Sequence, residues 1–148
     1  MLQLNILALT ALTQAYAQRM KAQGGGRILL VASVAAHMPA PLMVAYGASK
    51  AYVLSLGEAL HVELAPQVGV TVLSPGYMET GFDEASGFRP NAATKRTALP
   101  PSTVARIGLG ALFDGKASVV AGNANKVATC RSRSRTSLIL PAATRSGC

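Results

Sequence analysis

Hydrophobic positions along this chain follow two alternating patterns, short apolar runs and longer stretches with helical spacing. Runs that are apolar almost throughout are typical of parallel strands covered on both faces, whereas stripes at helical spacing are typical of helices packed on a sheet. The runs predict strands at residues 27–33, 69–74 and 117–121, and the stripes predict helices at 2–22, 45–65 and 102–113. This alternation predicts an α/β fold with three parallel strands and flanking helices.

The turns and loops between these elements can also be predicted from the sequence. Gly24-Gly25-Gly26 lies between a predicted helix and a predicted strand, which favours a helix C-cap and turn. Residues 76–100 are rich in Gly, Pro, Asn and Thr and predict a long loop. From residue 123 onward the pattern is lost. We therefore predict one domain over residues 1–122 and a basic, poorly ordered tail over 123–148.

Candidate chemistry is concentrated between the first strand and the second long helix. Ser33 ends the first apolar run, and Tyr46 follows thirteen residues later with Lys50 one helical turn beyond it. Residues four apart share a helix face, so the ammonium of Lys50 can lie beside the phenol of Tyr46. A nearby cation stabilises a phenolate, which turns a weak acid into a useful proton donor or acceptor. Ser33, Tyr46 and Lys50 therefore predict acid/base chemistry at a carbonyl or alcohol.

Further positions extend this constellation in a fixed order. Asn5 lies in an apolar helix upstream of Ser33, Pro75-Gly76 follows the second apolar run, and Thr80 lies four residues beyond the glycine. Taken together, this order resembles the short-chain dehydrogenase/reductase family, and the resemblance covers about residues 1–122. It implies a partial Rossmann-like, doubly wound parallel sheet.

The resemblance also implies a role for each residue. Tyr46 would be the general acid/base, Lys50 would activate it and hold the cofactor ribose, and Ser33 would hydrogen-bond the substrate oxygen. Asn5 would hold a water in a proton relay, which completes the predicted catalytic set. The predicted cofactor-binding residues are Tyr46, Lys50, Pro75, Gly76 and Thr80, and the cofactor would be NAD or NADP. The implied activity is oxidoreduction of a carbonyl/alcohol pair.

One departure from the family pattern accompanies the match. Family members begin with a strand, a Gly-rich turn and a helix that hold the cofactor pyrophosphate, whereas Gly24-Gly25-Gly26 occurs in the opposite order, after a helix and before a strand. We therefore expect the chain to correspond to the C-terminal half of such a domain. We also expect weak cofactor binding by this chain alone.

Composition limits the remaining possibilities. Half of the residues are hydrophobic and 14% are charged, which is typical of a globular protein. No apolar run approaches the roughly 20 residues of a membrane helix, and the N-terminal stretch has no basic n-region, so we expect a cytoplasmic protein.

His37 and His61 have no neighbouring residues in a metal-ligand pattern. Cys130 and Cys148 have no metal-ligand spacing and imply no disulfide framework, so we predict no metal site.

Two other readings of the sequence remain open. The first is a non-catalytic family remnant that acts as an interaction module, since the resemblance implies a homodimer through helices 2–22 and 45–65. The second is nucleic-acid binding, because residues 114–148 carry six basic side chains and one acidic one. The lack of aromatic residues among the tail arginines makes this second reading less favoured.

Overall fold

Three parallel strands form the centre of the fold. They are β1 (Gly26–Val31), β2 (Val68–Ser74) and β3 (Ser118–Val120), in the spatial order β1-β2-β3. The structure is a computed structural model that describes residues 1–81, 87 and 89–136. The predicted α/β architecture with parallel strands is confirmed, and the strand bounds differ from the prediction by a few residues.

Helices connect and cover these strands. In chain order they are a π-helix (Gln3–Ala8), α1 (Leu9–Ala22), a 3-10 helix (Val34–Ala36), α2 (Val44–Glu63), α3 (Ala92–Arg96), α4 (Pro101–Phe113) and α5 (Asn123–Thr136). The turn after α1 has the expected C-terminal geometry, because Gly24 and Gly25 adopt positive φ angles and the Gly25 amide donates to the Met20 carbonyl.

Two hydrophobic clusters lie on opposite faces of the sheet. On one face Val53 of α2 packs with Leu30 and Val72, and all three are buried. On the other face Val104 of α4 packs with Leu73. Residues of β2 therefore alternate between the two clusters, which explains why this strand is apolar almost throughout.

A glycine permits the close approach of α2 to the sheet. A Cβ atom at Gly57 would overlap the buried side chain of Val72 and crowd Leu30. We expect Gly57→Ala to lower the free energy of unfolding by about 1–3 kcal/mol, since overpacking a closed core forces its neighbours to move. Urea denaturation checks this.

Gly110 provides the matched control. It lies in α4, and a Cβ atom there would meet nothing within 4 Å. Gly110→Ala should keep or raise stability, because alanine is the better helix former. Equal effects of the two substitutions would show that α2 does not depend on this close contact.

Three regions differ from the sequence prediction. The first helix begins as a π-helix, and the predicted loop over 76–100 contains α3. The sequence predicted no element beyond residue 122, whereas α5 extends to Thr136. Cys130 on α5 is disulfide-bonded, which corrects the expectation of no disulfide. Phe82 and Phe88 of the predicted loop, and residues 137–148 of the predicted tail, lie outside the described residues.

Candidate functional site

The carboxyl ends of β1 and β2 lie at one edge of the sheet, and Ser33 and Pro75 follow these two strands. Pairing continues past the end of β1, where the Ala32 amide donates to the Leu73 carbonyl at 2.8 Å. The Val34 amide then donates to the Pro75 carbonyl at 2.9 Å. These bonds hold the segment that carries Ser33 beside the predicted Pro75-Gly76 turn, at the edge where open α/β sheets bind ligands.

Ser33 opens the short helix that follows β1. Its backbone is extended, and its hydroxyl accepts a hydrogen bond from the Ala35 amide at 3.2 Å. The first turn of α2 lies against this helix, because a Cβ atom at the buried Gly47 would lie 3.4 Å from the Ala35 carbonyl oxygen. Ser33 and the turn that carries Tyr46 are therefore held by neighbouring, packed elements.

Tyr46 and Lys50 lie on one face of α2, as their spacing predicted. The Lys50 ammonium lies 5.9 Å from the centre of the Tyr46 ring. It also donates a 2.9 Å hydrogen bond to the Val31 carbonyl at the end of β1. Burial lowers the pKa of the Lys50 ammonium below its ordinary value of 10.5, because desolvation disfavours the charged form. The pair is thus a half-buried cation beside a phenol at the strand edge.

Asn5 is joined to α2 through Ser49, a residue that sequence reasoning did not select. The Asn5 side-chain amide donates to the Ser49 hydroxyl at 3.0 Å, and that hydroxyl donates to the Tyr46 carbonyl at 2.7 Å. Ser49 follows Tyr46 by three residues, so helical spacing is the signal that could have identified it.

Pro75, Gly76 and Thr80 follow β2 in the order predicted. Pro75 is buried and Thr80 is exposed. The space beside Gly76 is filled by Asn125 of α5, since a Cβ atom on Gly76 would overlap the Asn125 side chain. Asn125 is itself held by a 2.7 Å hydrogen bond to the Ala121 carbonyl. This contact was not predictable from the sequence pattern, because α5 lies in the predicted tail. Contact of Thr80 with a cofactor stays a prediction.

His37 is another residue that the sequence analysis left without a role. Its Nε2 atom lies 2.9 Å from the hydroxyl of the buried Ser74, the last residue of β2. This contact fastens the loop after Ser33 to the strand that precedes Pro75. His61 likewise lies 2.8 Å from the Val70 carbonyl through Nδ1. Each histidine therefore makes a hydrogen bond within the fold.

A largely apolar cleft of about 550 Å³ lies between the N-terminal helices and β1. Asn5 and Lys50 are the predicted site residues that line it, and Tyr46 and Ser33 do not. Most of its lining comes from leucines of the N-terminal helices and from the backbone and side chains of residues 27–31. The cleft therefore lies along the outer edge of the sheet and not beside Ser33 and Tyr46, where the substrate oxygen is expected.

The described residues contain neither a candidate metal cluster nor a helix that could span a membrane. In that part of the chain, no three or more His, Cys, Asp and Glu side chains are grouped closely enough to hold a metal ion. Over the same residues, every helix is too short or too polar to cross a membrane.

Comparison with curated proteins identifies dehydrogenases. The chain is 39% identical over 84 residues to dehydrogenase/reductase SDR family member 4 of Sus scrofa, which is 56% of this chain and 30% of that protein. It is 40% identical over 68 residues to 11-beta-hydroxysteroid dehydrogenase A of Arachis hypogaea, which is 46% of this chain and 20% of that protein. The chain thus matches about a third or less of the length of these relatives.

Solved structures give the same result over more of the chain. A short-chain dehydrogenase from Sphingobium yanoikuyae in complex with NADPH superposes with a TM-score of 0.74 at 26% identity, covering 98% of this chain and 57% of that one. A short-chain dehydrogenase from Burkholderia cenocepacia in complex with NADP has a TM-score of 0.75 at 26% identity, covering 93% of this chain and 56% of that one.

The family model described as short chain dehydrogenase matches residues 1–89, which is more than half of the chain. This segment contains Asn5, Ser33, Tyr46, Lys50 and the Pro75-Gly76 turn. The chain belongs to the short-chain dehydrogenase family.

Proposed function

We propose that this chain forms the proton-transfer half of a site for NAD(P)-dependent oxidoreduction of a carbonyl/alcohol pair. The single observation that carries the proposal is the pairing of Lys50 and Tyr46 at the carboxyl end of β1. A cation beside a phenol at the ligand-binding edge of a parallel sheet is suited to proton transfer at a substrate oxygen. The NADPH and NADP complexes of the two structural relatives support a nicotinamide cofactor.

Each residue has a defined task in this proposal. During reduction the Tyr46 hydroxyl donates a proton to the substrate oxygen, and during oxidation it accepts that proton. Ser33 donates a hydrogen bond to the same oxygen and stabilises the charge that develops there. Lys50 stabilises the phenolate left on Tyr46. Asn5 would hold a water that returns the proton from solvent.

The donor groups suit one end of a nicotinamide cofactor. The Lys50 ammonium is a hydrogen-bond donor that can hold ribose hydroxyls, with the Tyr46 ring beside it, and Pro75, Gly76 and Thr80 would border the nicotinamide ring. The bound cofactor would supply or remove the hydride. The pyrophosphate has no such partner among the described residues, because no strand there leads through a Gly-rich turn into a helix.

The proposal includes a homodimer through helices 2–22 and 45–65. Support comes from the outer faces of α1 and α2, which are joined by the contact between the Thr10 hydroxyl and the Tyr52 hydroxyl at 2.8 Å. A groove of about 360 Å³ between these helices is lined in part by Leu56, Leu60 and Leu64. Such a groove is suited to burial against a partner helix.

The experiment uses a chimera in which this chain is joined to the part of the Sphingobium yanoikuyae dehydrogenase that it does not match. We expect the chimera to oxidise NADPH with members of an aldehyde and ketone panel. Lys50→Ala should weaken both NADPH affinity and turnover by about tenfold or more, because it removes a cation that acts on the ribose and on the phenol.

Lys116→Ala is the matched control, since Lys116 is an exposed lysine paired with Asp114 at the surface. This variant should behave as the parent chimera. A folded chimera that binds NADPH and turns over no member of the panel would favour the non-catalytic remnant instead.

A further inference from the structure

The Ser49 hydroxyl both accepts and donates a hydrogen bond, and it does so in a buried position. The side chain is 0% exposed. Its oxygen accepts the hydrogen bond from Asn5, which is 44 residues away in sequence, and its proton goes to the Tyr46 carbonyl. One hydroxyl thus joins the N-terminal π-helix to the first turn of α2.

The first turn of α2 needs such support. Tyr46 is the third residue of the helix, and Met43 at the N-cap makes no side-chain cap hydrogen bond within the described structure. Helix ends fray when their amides lack capping partners, because each unsatisfied group is better solvated in the open state. The bond from Asn5 through Ser49 ties this uncapped turn to a second helix.

We propose that Ser49 is a positioning residue that fixes Tyr46 and Asn5 relative to one another. The Ser49 hydroxyl would influence proton transfer only indirectly, since it binds the Tyr46 backbone and the Asn5 side chain. The inference rests on the proposed function only for the catalytic roles of Tyr46 and Asn5. The tether itself is a property of residues 1–148 and is measurable without turnover.

A purely structural serine would behave differently. Serine hydroxyls in helices often bond the carbonyl three or four residues earlier, and losing that bond alone changes little beyond the local helix geometry. The Asn5 bond is the additional element, because it links two helices. Removing it should loosen the Tyr46 turn and the Asn5 side chain together while the rest of α2 stays unchanged.

The test is amide hydrogen exchange by NMR on the 148-residue protein and its Ser49→Ala variant. We expect exchange at the backbone amides of residues 47 and 48 and at the Asn5 side-chain amide to rise about fivefold to tenfold, as for the loss of a hydrogen bond worth about 1 kcal/mol. Exchange near Leu60, toward the other end of α2, should stay within about twofold. The Tyr46 ring resonances should shift as well.

Ser55→Ala is the matched control, because Ser55 lies exposed on the same helix. It should change none of these signals. Asn5→Ala removes the other end of the tether from a half-buried position, so it gives the same test if Ser49→Ala does not fold. We expect it to loosen residues 47 and 48 to a similar extent.

Two results would overturn the proposal. One is unchanged exchange at residues 47 and 48 in both variants, and the other is a uniform rise along the whole of α2, which is the signature of a global loss of stability. A failure of the proposed function can be distinguished from a failure of the tether. An inactive chimera whose Tyr46 turn still loosens on Ser49→Ala would retain the tether and reject the enzyme assignment.

Discussion

Tyr46→Phe should abolish carbonyl reduction by the chimera while NADPH affinity stays within about twofold. The substitution removes only the phenolic oxygen, which is the proposed proton donor, and keeps the ring that packs on α2. Positioned acids contribute about 10²–10⁴-fold to rate, so the remaining turnover should be at most about a hundredth of the parent value. Steady-state NADPH oxidation and a fluorescence titration with NADPH measure the two quantities separately.

Tyr52→Phe controls for the loss of a hydroxyl from the same helix. Tyr52 lies on α2, and its hydroxyl contacts the Thr10 hydroxyl rather than the sheet edge. This variant should retain near-parent turnover. Near-parent turnover by Tyr46→Phe would instead reject the acid/base assignment, whatever the substrate.

Local spacing explains why much of the candidate site could be predicted. Lys50 lies four residues after Tyr46, and helical geometry alone places both on one face. Ser33 follows an apolar strand, so a parallel sheet carries it to the ligand-binding edge. The apolar runs of β1 and β2 made their parallel pairing predictable, and the structure confirms that pairing.

Contacts between distant segments could not be predicted in the same way. The bond between Asn5 and Ser49, and the bond between His37 and Ser74, depend on how helices and loops pack over the sheet. Nothing in the local pattern specifies that packing. The contact of Asn125 with Gly76 could not be predicted for another reason. Helix α5 has the polar sequence NANKVATCRSRSRT, which shows no apolar stripe from which a helix could be recognised.

The outer edge of β1 is unpaired within the described residues, which predicts how residues 1–148 behave in isolation. The amides of Gly26 and Ala32 donate to the β2 side, so those of the alternating residues 27, 29 and 31 face the opposite edge. Within the described residues β1 pairs only with β2, and the apolar cleft lies along this open edge. An edge of this kind pairs readily with another chain, so we expect concentration-dependent self-association in sedimentation experiments.

The same 148-residue protein should bind NADH and NADPH negligibly, with dissociation constants in the millimolar range or weaker. Affinity for the pyrophosphate comes from amides and the positive dipole at a helix N-terminus. Here the glycine cluster follows the C-terminus of α1, and the Gly25 amide is already bonded to the Met20 carbonyl. The cluster therefore presents the wrong end of a helix to an anion. Fluorescence titration with both nucleotides measures this, with the Sphingobium yanoikuyae dehydrogenase as the positive control for NADPH. Saturable binding at micromolar concentrations would show that Lys50, Tyr46 and the Pro75-Gly76 turn can hold the cofactor without a phosphate-binding turn.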